Sequence, residues 1–369
     1  MKQGRSLAEI GQELERQRRA RKDFIADTRN LEMTTNQDGT SLSLYLEDEP
    51  QSFTVSELAH QQMASRLQIP FRYYQKMRQE EAPLLDENVN TWFTRIPEKR
   101  MLRVMDGRVR AFLSDRYRRL DHLELCSAVL PVIKDMKGAE IESCEVTESH
   151  LYLKVINKKL KAEVSVGDVV QAGFVISNSE VGLGSLKVEP LIYRLVCKNG
   201  LIVKDYAQKR YHVGRQVASE DSAYEIYSDE TLAQDDKTFF MKVQDSVRSA
   251  VDEAQFMLTV DKMRAAMNIP LEHDPVQSVE LLADTFLRNQ NERGDVLRQL
   301  FMGRDNSQYG LINAVTAASQ ITDSYERATE LERIGGEILA MAVPRKLLPM
   351  HEAVSIIKNV TPIRRSLRA

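Results

Sequence analysis

The sequence predicts an α+β protein: a largely antiparallel β-hairpin sheet with flanking helices and a helical C-terminal part. Three observations predict it. Asp106-Gly107, a dipeptide suited to a two-residue type I′ turn, lies between two runs of alternating character. Strand-like runs broken by turn residues recur at 141–156 and 169–202. From Phe239 onward apolar residues instead recur at helical spacing, with Val243, Val247, Val251, Ala254 and Leu258 on one stripe. A chain of 369 residues exceeds what one hydrophobic core usually serves, so one large domain with appendages, or two domains, is expected.

Composition divides the chain into an N-terminal basic helix and arm (1–45), an α+β core carrying a basic hairpin (46–216), an acidic linker (217–236), a helical bundle (237–343) and a basic C-terminal tail (344–369). Ser6 is placed to cap a helix through Leu7, Ile10 and Leu14 that ends in Arg16, Arg18, Arg19, Arg21 and Lys22. Those cations suit the negative end of a helix dipole, or an arm that grips a partner. Asn36 to Gly39 reads as a turn before a short strand with Leu42, Leu44 and Leu46. Ser56 caps a second helix through Leu58, Met63 and Leu67; after the Ile69-Pro70 break a third contains Phe71, Tyr74 and Met77. Helix pairs around such a break are common, and these apolar positions read as packing.

The segment Lys99 to Arg119 carries the most information. Both turn positions need positive φ, which Asp106-Gly107 tolerates, and the turn sets the register. Counting back pairs Met105 with Arg108, Val104 with Val109, Arg103 with Arg110, Leu102 with Ala111 and Met101 with Phe112. Strand alternation then puts Val104, Val109, Leu102 and Ala111 on an apolar face. The opposite face carries Arg103, Arg108 and Arg110 beside Met101, Met105 and Phe112. Arg116, Tyr117, Arg118 and Arg119 follow, and Asp121 with Glu124 resembles a capping box opening a helix through Leu125, Val129 and Val132. Asn199-Gly200 supplies a further turn. Residues 216–236 hold seven carboxylates and no Lys or Arg. An acidic linker is the simple reading; a segment that folds over a basic groove is the alternative. The tail gathers Arg345, Lys346, Lys358, Arg364, Arg365 and Arg368, a solvated end or a second phosphate contact.

Several chemistries have no signature. Gly182-Leu183-Gly184 lacks the third glycine of a dinucleotide fingerprint and the Gly-Lys-Ser/Thr ending of a P-loop, so it reads as a turn or bulge. The six histidines are scattered, acidic pairs such as Glu80-Glu81 are adjacent rather than convergent, and no catalytic, metal or cofactor constellation is expected. Cys126, Cys144 and Cys197 are widely spaced and are read as reduced and buried. No apolar run approaches the roughly 20 residues of a membrane helix, and the N-terminus has no apolar signal stretch, so a cytoplasmic protein is expected. The net charge of -3 confines any nucleic-acid surface to one region.

Four segments carry a family resemblance: Phe112 to Arg118, Val175 to Gly182, Leu191 to Gly200 and Tyr309 to Val315. On these the chain resembles the phage- and plasmid-encoded DUF932 proteins, a family with no assigned function, from about Ser56 into the helical part. The resemblance implies a mobile-element setting, with recombination, replication support or evasion of host defence as its recurring tasks, and supplies no catalytic residue. A looser similarity is to single-strand annealing proteins, whose ringed subunits hold DNA in a basic groove.

The functional expectation is an ATP-independent, homo-oligomeric protein that binds and anneals single-stranded DNA. Its surface would comprise Arg103, Arg108, Arg110, Arg116, Arg118 and Arg119, joined by Arg194, Lys198, Lys209, Arg210 and Arg215, with Phe112, Tyr117 or Tyr211 for base stacking. The competing expectation is that these arginines are ion-paired on an ordinary sheet. A second function is an interaction protein that modulates a host or phage factor through the acidic segment and helical part. A cryptic nuclease ranks third for want of a metal cluster.

Overall fold

The computed structural model describes residues 1–46, 49–117, 119–203 and 229–343, with backbone alone for 212–213, 229–233 and 235–236. Helix α1 (Leu7–Ala20) starts at Ser6, whose hydroxyl accepts from the Glu9 N–H while the Glu9 carboxylate accepts from the Ser6 N–H, a complete capping box. Two strands that helical spacing hid follow it, β1 (Arg21–Asp27) and β2 (Leu31–Asn36). The expected turn then leads to β3 (Gly39–Leu44), which stops before Leu46, and to β4 (Gln51–Val55). Ser56 caps α2 (Glu57–Arg66), and α3 (Phe71–Glu80) and α4 (Ala82–Arg95) complete a helical layer.

The basic hairpin is β5 (Lys99–Met105) and β6 (Arg108–Ser114). Its turn has φ of 52° at Asp106 and 71° at Gly107, as a type I′ turn requires. With β1 to β4 it forms a six-stranded sheet of order β1-β5-β6-β4-β3-β2, antiparallel throughout except between β4 and β6. Leu102, Val104, Val109 and Phe112 face α2 to α4 in one core with Leu42, Phe53, Met63 and Phe93.

After α5 (His122–Asp135) a second sheet contains β7 (Ala139–Val146), β8 (Leu151–Glu163), β9 (Val169–Asn178), β10 (Leu186–Arg194) and β11 (Asn199–Ile202), ordered β11-β10-β9-β8-β7, with β12 (His212–Val213) also on β10. The remaining helices are α6 (Asp229–Arg248), α7 (Glu253–Met267), α8 (Pro275–Phe286), α9 (Gln290–Gly303), α10 (Gln308–Ala318) and α11 (Tyr325–Ala342). One face of this sheet packs on α1, α5 and α6; the other shares a core with α7 to α11. Covered on both faces, β9 reads as a near-continuous apolar run, as a sheet between two helical layers must.

Three local expectations are corrected. Asn199-Gly200 does not turn: the chain reverses just before it, with Lys198 at φ 51°, and both residues lie buried in β11. Asn199 donates to Thr316 at 2.6 Å, and Gly200 leaves room for Glu332. Cys126 and Cys144 are buried, but Cys197 is exposed because it lies in that reversal. The helix after Asp121 forms as expected, yet the Asp121 side chain makes no cap bond; its carboxylate is spent elsewhere. Gly182 serves a turn, with φ 80° and Leu113 packed where a Cβ would stand.

Candidate nucleic-acid interface

The hairpin register is as predicted for Met105 with Arg108 and Val104 with Val109, and then shifts. A bulge leaves Arg110 without a partner, so Arg103 faces Ala111, Leu102 faces Phe112 and Met101 faces Leu113. Ladder groups displaced by the bulge are taken up locally: Ser56 Oγ donates to the Arg110 carbonyl at 3.0 Å, and the Phe112 N–H donates to Gln62 at 2.7 Å. One extra residue reverses the predicted faces beyond it. Phe112 therefore leaves the cationic face for the core, where it stacks on Phe93 at 5.9 Å under the Arg100 guanidinium. It offers no surface to a base.

The cationic face lies against the second sheet. Arg103 is 1% exposed, bonded to Asp121 at 2.7 Å, to Asp23 at 3.3 Å and to the Glu180 carbonyl at 2.9 Å. Burial by itself would lower its pKa, but Asp121, Asp23 and Glu180 outweigh that and hold it above the ordinary value. Arg110 is half-buried, 3.4 Å from Glu180 and 3.0 Å from the Glu148 carbonyl, with its pKa lowered by burial against the Glu180 charge. Arg21 joins Asp121, and the exposed Arg119 stands 3.6 Å from Asp23. Glu180 also accepts the His122 N–H at 2.7 Å, so it caps α5 from a distant segment in place of Asp121.

The other expected residues scatter. Arg108 is 45% exposed and only 3.9 Å from Glu148, which is itself 91% exposed. Arg116 is exposed, with no carboxylate partner among the described residues, and the half-buried Tyr117 donates to the Ser179 carbonyl at 3.1 Å. Arg194 is held by Asp168 at 2.5 and 2.8 Å and lies over the Tyr309 ring, while Tyr309 itself donates to Asp168. Lys198 is exposed at the β10–β11 reversal. Arg118, Lys209, Arg210, Tyr211 and Arg215 lie outside the residues described by side chain, as do most of the acidic stretch and the tail after 343. Helix α6 already begins at Asp229, inside the stretch read as linker.

The structure brings together a different set. A cleft of about 820 Å³ opens between α1, the hairpin turn, the β7–β8 turn and the start of α11. Arg5, Arg16, Arg108 and Arg110 line it, as do Glu13, Glu57, Asp106, Glu148 and Glu326. A small hollow of about 40 Å³ continues it, sharing Gln17 and Arg110 and adding Arg18 and Arg21. Arg16 binds α1 to the hairpin turn through both oxygens of Asp106, at 2.9 and 3.0 Å. The sequence reads these α1 arginines as helix-dipole cations or as an arm, and nothing local ties them to the hairpin. Among the described residues, no three or more His, Cys, Asp or Glu side chains are grouped to hold a metal ion, and no helix is long and apolar enough to cross a membrane.

Two buried histidines set a pH dependence of stability. His122 and His60 are each lowered to about 4, chiefly by burial. Unfolded, each would titrate near its ordinary 6.5, so between these values the unfolded chain binds more protons than the folded one. Stability is complete above that window and falls as pH drops through it, by about 3 kcal/mol for each histidine. Urea midpoints measured across the window should show this decline, and His122→Asn should flatten part of it.

The molecule is thus a two-sheet α+β protein whose hairpin cations weld the sheets together beside a cleft lined by both guanidinium and carboxylate groups. A family model described as Domain of unknown function (DUF932) matches residues 111–320, more than half of the chain, and the protein belongs to that family. No curated protein and no solved structure matches it. The matched span contains Glu180, Asp121, His122, Asp168, Arg194 and Tyr309 of the internal polar framework.

Proposed function

We propose that the protein binds single-stranded nucleic acid along the α1 cleft, and that it anneals strands without ATP by holding them there with bases accessible. One observation carries the reading: Arg5, Arg16, Arg108 and Arg110 share one cleft that runs on past Arg18 and Arg21. Guanidinium groups along such a line would neutralise successive phosphates and release counterions. The lining carboxylates oppose this, and Glu148 is the weakest of them as a competitor. It is almost fully exposed and holds Arg108 at only 3.9 Å, so a phosphate would displace it with little loss. Assembly of several copies would multiply weak contacts.

Fluorescence anisotropy with a labelled oligonucleotide at low and moderate salt tests the proposal. Binding should weaken with salt with a log–log slope of about 0.7 per phosphate neutralised. Arg108→Glu should weaken it about tenfold and Glu148→Gln should tighten it, with the folded state unchanged. No binding at low salt, or binding indifferent to both substitutions, would remove the cleft from consideration.

A second reading, a modulator of a host or phage protein, is favoured by the helical part. Phe301 and Met302 stand exposed on α9 beside Arg298 and Arg304, an apolar hollow with cations at its border. Under that reading Phe301→Ser abolishes partner capture while Arg108→Glu does nothing.

A further inference from the structure

Among the described residues, three of the four strands that end the two sheets, β2, β7 and β11, are covered. On β2, Asn90 of α4 accepts the Met33 N–H at 2.7 Å and donates to the Met33 carbonyl at 2.9 Å, while Asp86 accepts the Thr35 N–H at 2.6 Å. Side chains there imitate a missing strand. Residues preceding α1 run along β7, with Gly4 against the Cys144 carbonyl and a bridge from Arg5 to Cys144. On β11, α11 presses Gly336 against the Ile202 carbonyl.

The fourth edge is β1. Its pairing with β5 runs from Arg21–Met105 to Asp27–Lys99, and the next N–H, that of Thr28, donates to the Glu98 carbonyl. Antiparallel alternation therefore turns the backbone groups of Lys22, Phe24 and Ala26 toward β5 and those of Arg21, Asp23, Ile25 and Asp27 outward. The Arg21 N–H returns to Gln17 of α1, but no described residue bonds the backbone of Asp23, Ile25 or Asp27 on that side. Ile25 is 60% exposed. An open strand edge of this kind templates pairing with another strand.

We infer that β1 pairs with β1 of a second copy of this chain, antiparallel across a two-fold axis at Phe24, joining the two six-stranded sheets into one. The charge pattern selects both occupant and register. Only outward-facing residues can exchange hydrogen bonds, so the register moves in steps of two. Centring the axis one residue earlier sets Asp23 against its own copy, and one residue later sets Asp23 against Asp27. Centred on Phe24, Arg21, which within its own chain holds Asp121, comes opposite the second copy's Asp27, which holds Arg29, so the two ion pairs join into one network at each end; Asp23 meets Ile25, and the two Phe24 residues meet on the axis. Opposite charges directly across a strand pair are favourable and like charges are not.

Sedimentation velocity of the full chain across the micromolar range tests the pairing. A dimer is expected. Ile25→Pro removes an outward N–H while leaving the β5 ladder intact, as proline at a sheet edge does, and should weaken dimerisation about a hundredfold. Asp27→Lys, which opposes Arg21 with a like charge, should do the same should the proline variant misfold. A monomer at every concentration overturns the inference, and so does a dimer that survives both substitutions in a folded chain.

Discussion

Replacing Arg103 by Met is expected to destabilise the protein by about 3–5 kcal/mol, the cost of breaking a buried ion pair by removing one partner. The guanidinium bridges Asp23 of β1, Asp121 at the start of α5 and the Glu180 carbonyl after β9. Without it Asp121 is left to Arg21, Asp23 to Arg21 at 3.9 Å and Arg119 at 3.6 Å, and the hairpin loses its buried bond to the Glu180 carbonyl. Arg103→Lys should recover only part, because an ammonium is a point charge and cannot fork to three acceptors. Urea unfolding followed by circular dichroism measures this. A loss below about 1 kcal/mol would mean that water replaces the guanidinium and that the network contributes little. Arg108→Glu serves as the contrast: exposed and loosely paired, it should change nucleic-acid affinity and leave the urea midpoint in place.

The second large effect is at Lys154 and Glu332, 2.6 Å apart and both 0% exposed between β8 and α11. Lys154 also lies 4.7 Å over the Tyr325 ring, and burial lowers its pKa against the Glu332 charge that sustains it. One Glu332 oxygen has no hydrogen-bond partner, so this pair is held mainly by its own attraction. Lys154→Met alone should therefore cost about 3–5 kcal/mol, because it strands a carboxylate in the core. The double variant Lys154→Met with Glu332→Leu should return most of that, since well-packed apolar groups replace a buried pair at little cost. A double-mutant cycle reads the difference as coupling; additive losses in the two single variants would show that each charge is satisfied by other groups.

Much of the fold is legible in local chemistry. Ser6, Ser56 and Asp106-Gly107 each specify a cap or turn through bonds made within a few residues, and all three form as read; the reciprocal bond that Glu9 accepts from Ser6 went unread. Strand β1 was missed because Arg21 and Lys22 continue the pattern of α1, and its ladder to β5 holds that segment extended; β2 is held by its ladder to β3. The hairpin faces failed for a different reason. Their alternation was correct as far as Val104 and Val109, but the bulge at Arg110 depends on Ser56 and Gln62, which lie far back in the chain. Asp121 was legible as a helix start and illegible as a partner of Arg103. The cleft was hidden too, since Arg16 meets Asp106 across 90 residues.

The sequence by itself determined the α+β class, the Ser6 and Ser56 caps, the Asp106-Gly107 turn and the membership in DUF932, because each depends on neighbours in the chain. Tertiary structure alone decided which cations face solvent. A guanidinium is exposed or spent according to the carboxylates brought beside it, and those of Arg103 come from 80 residues before it, 18 after and, as a backbone carbonyl, 77 after. Burial makes such pairing obligatory, since an unpaired charge cannot be carried into a sheet-to-sheet interface.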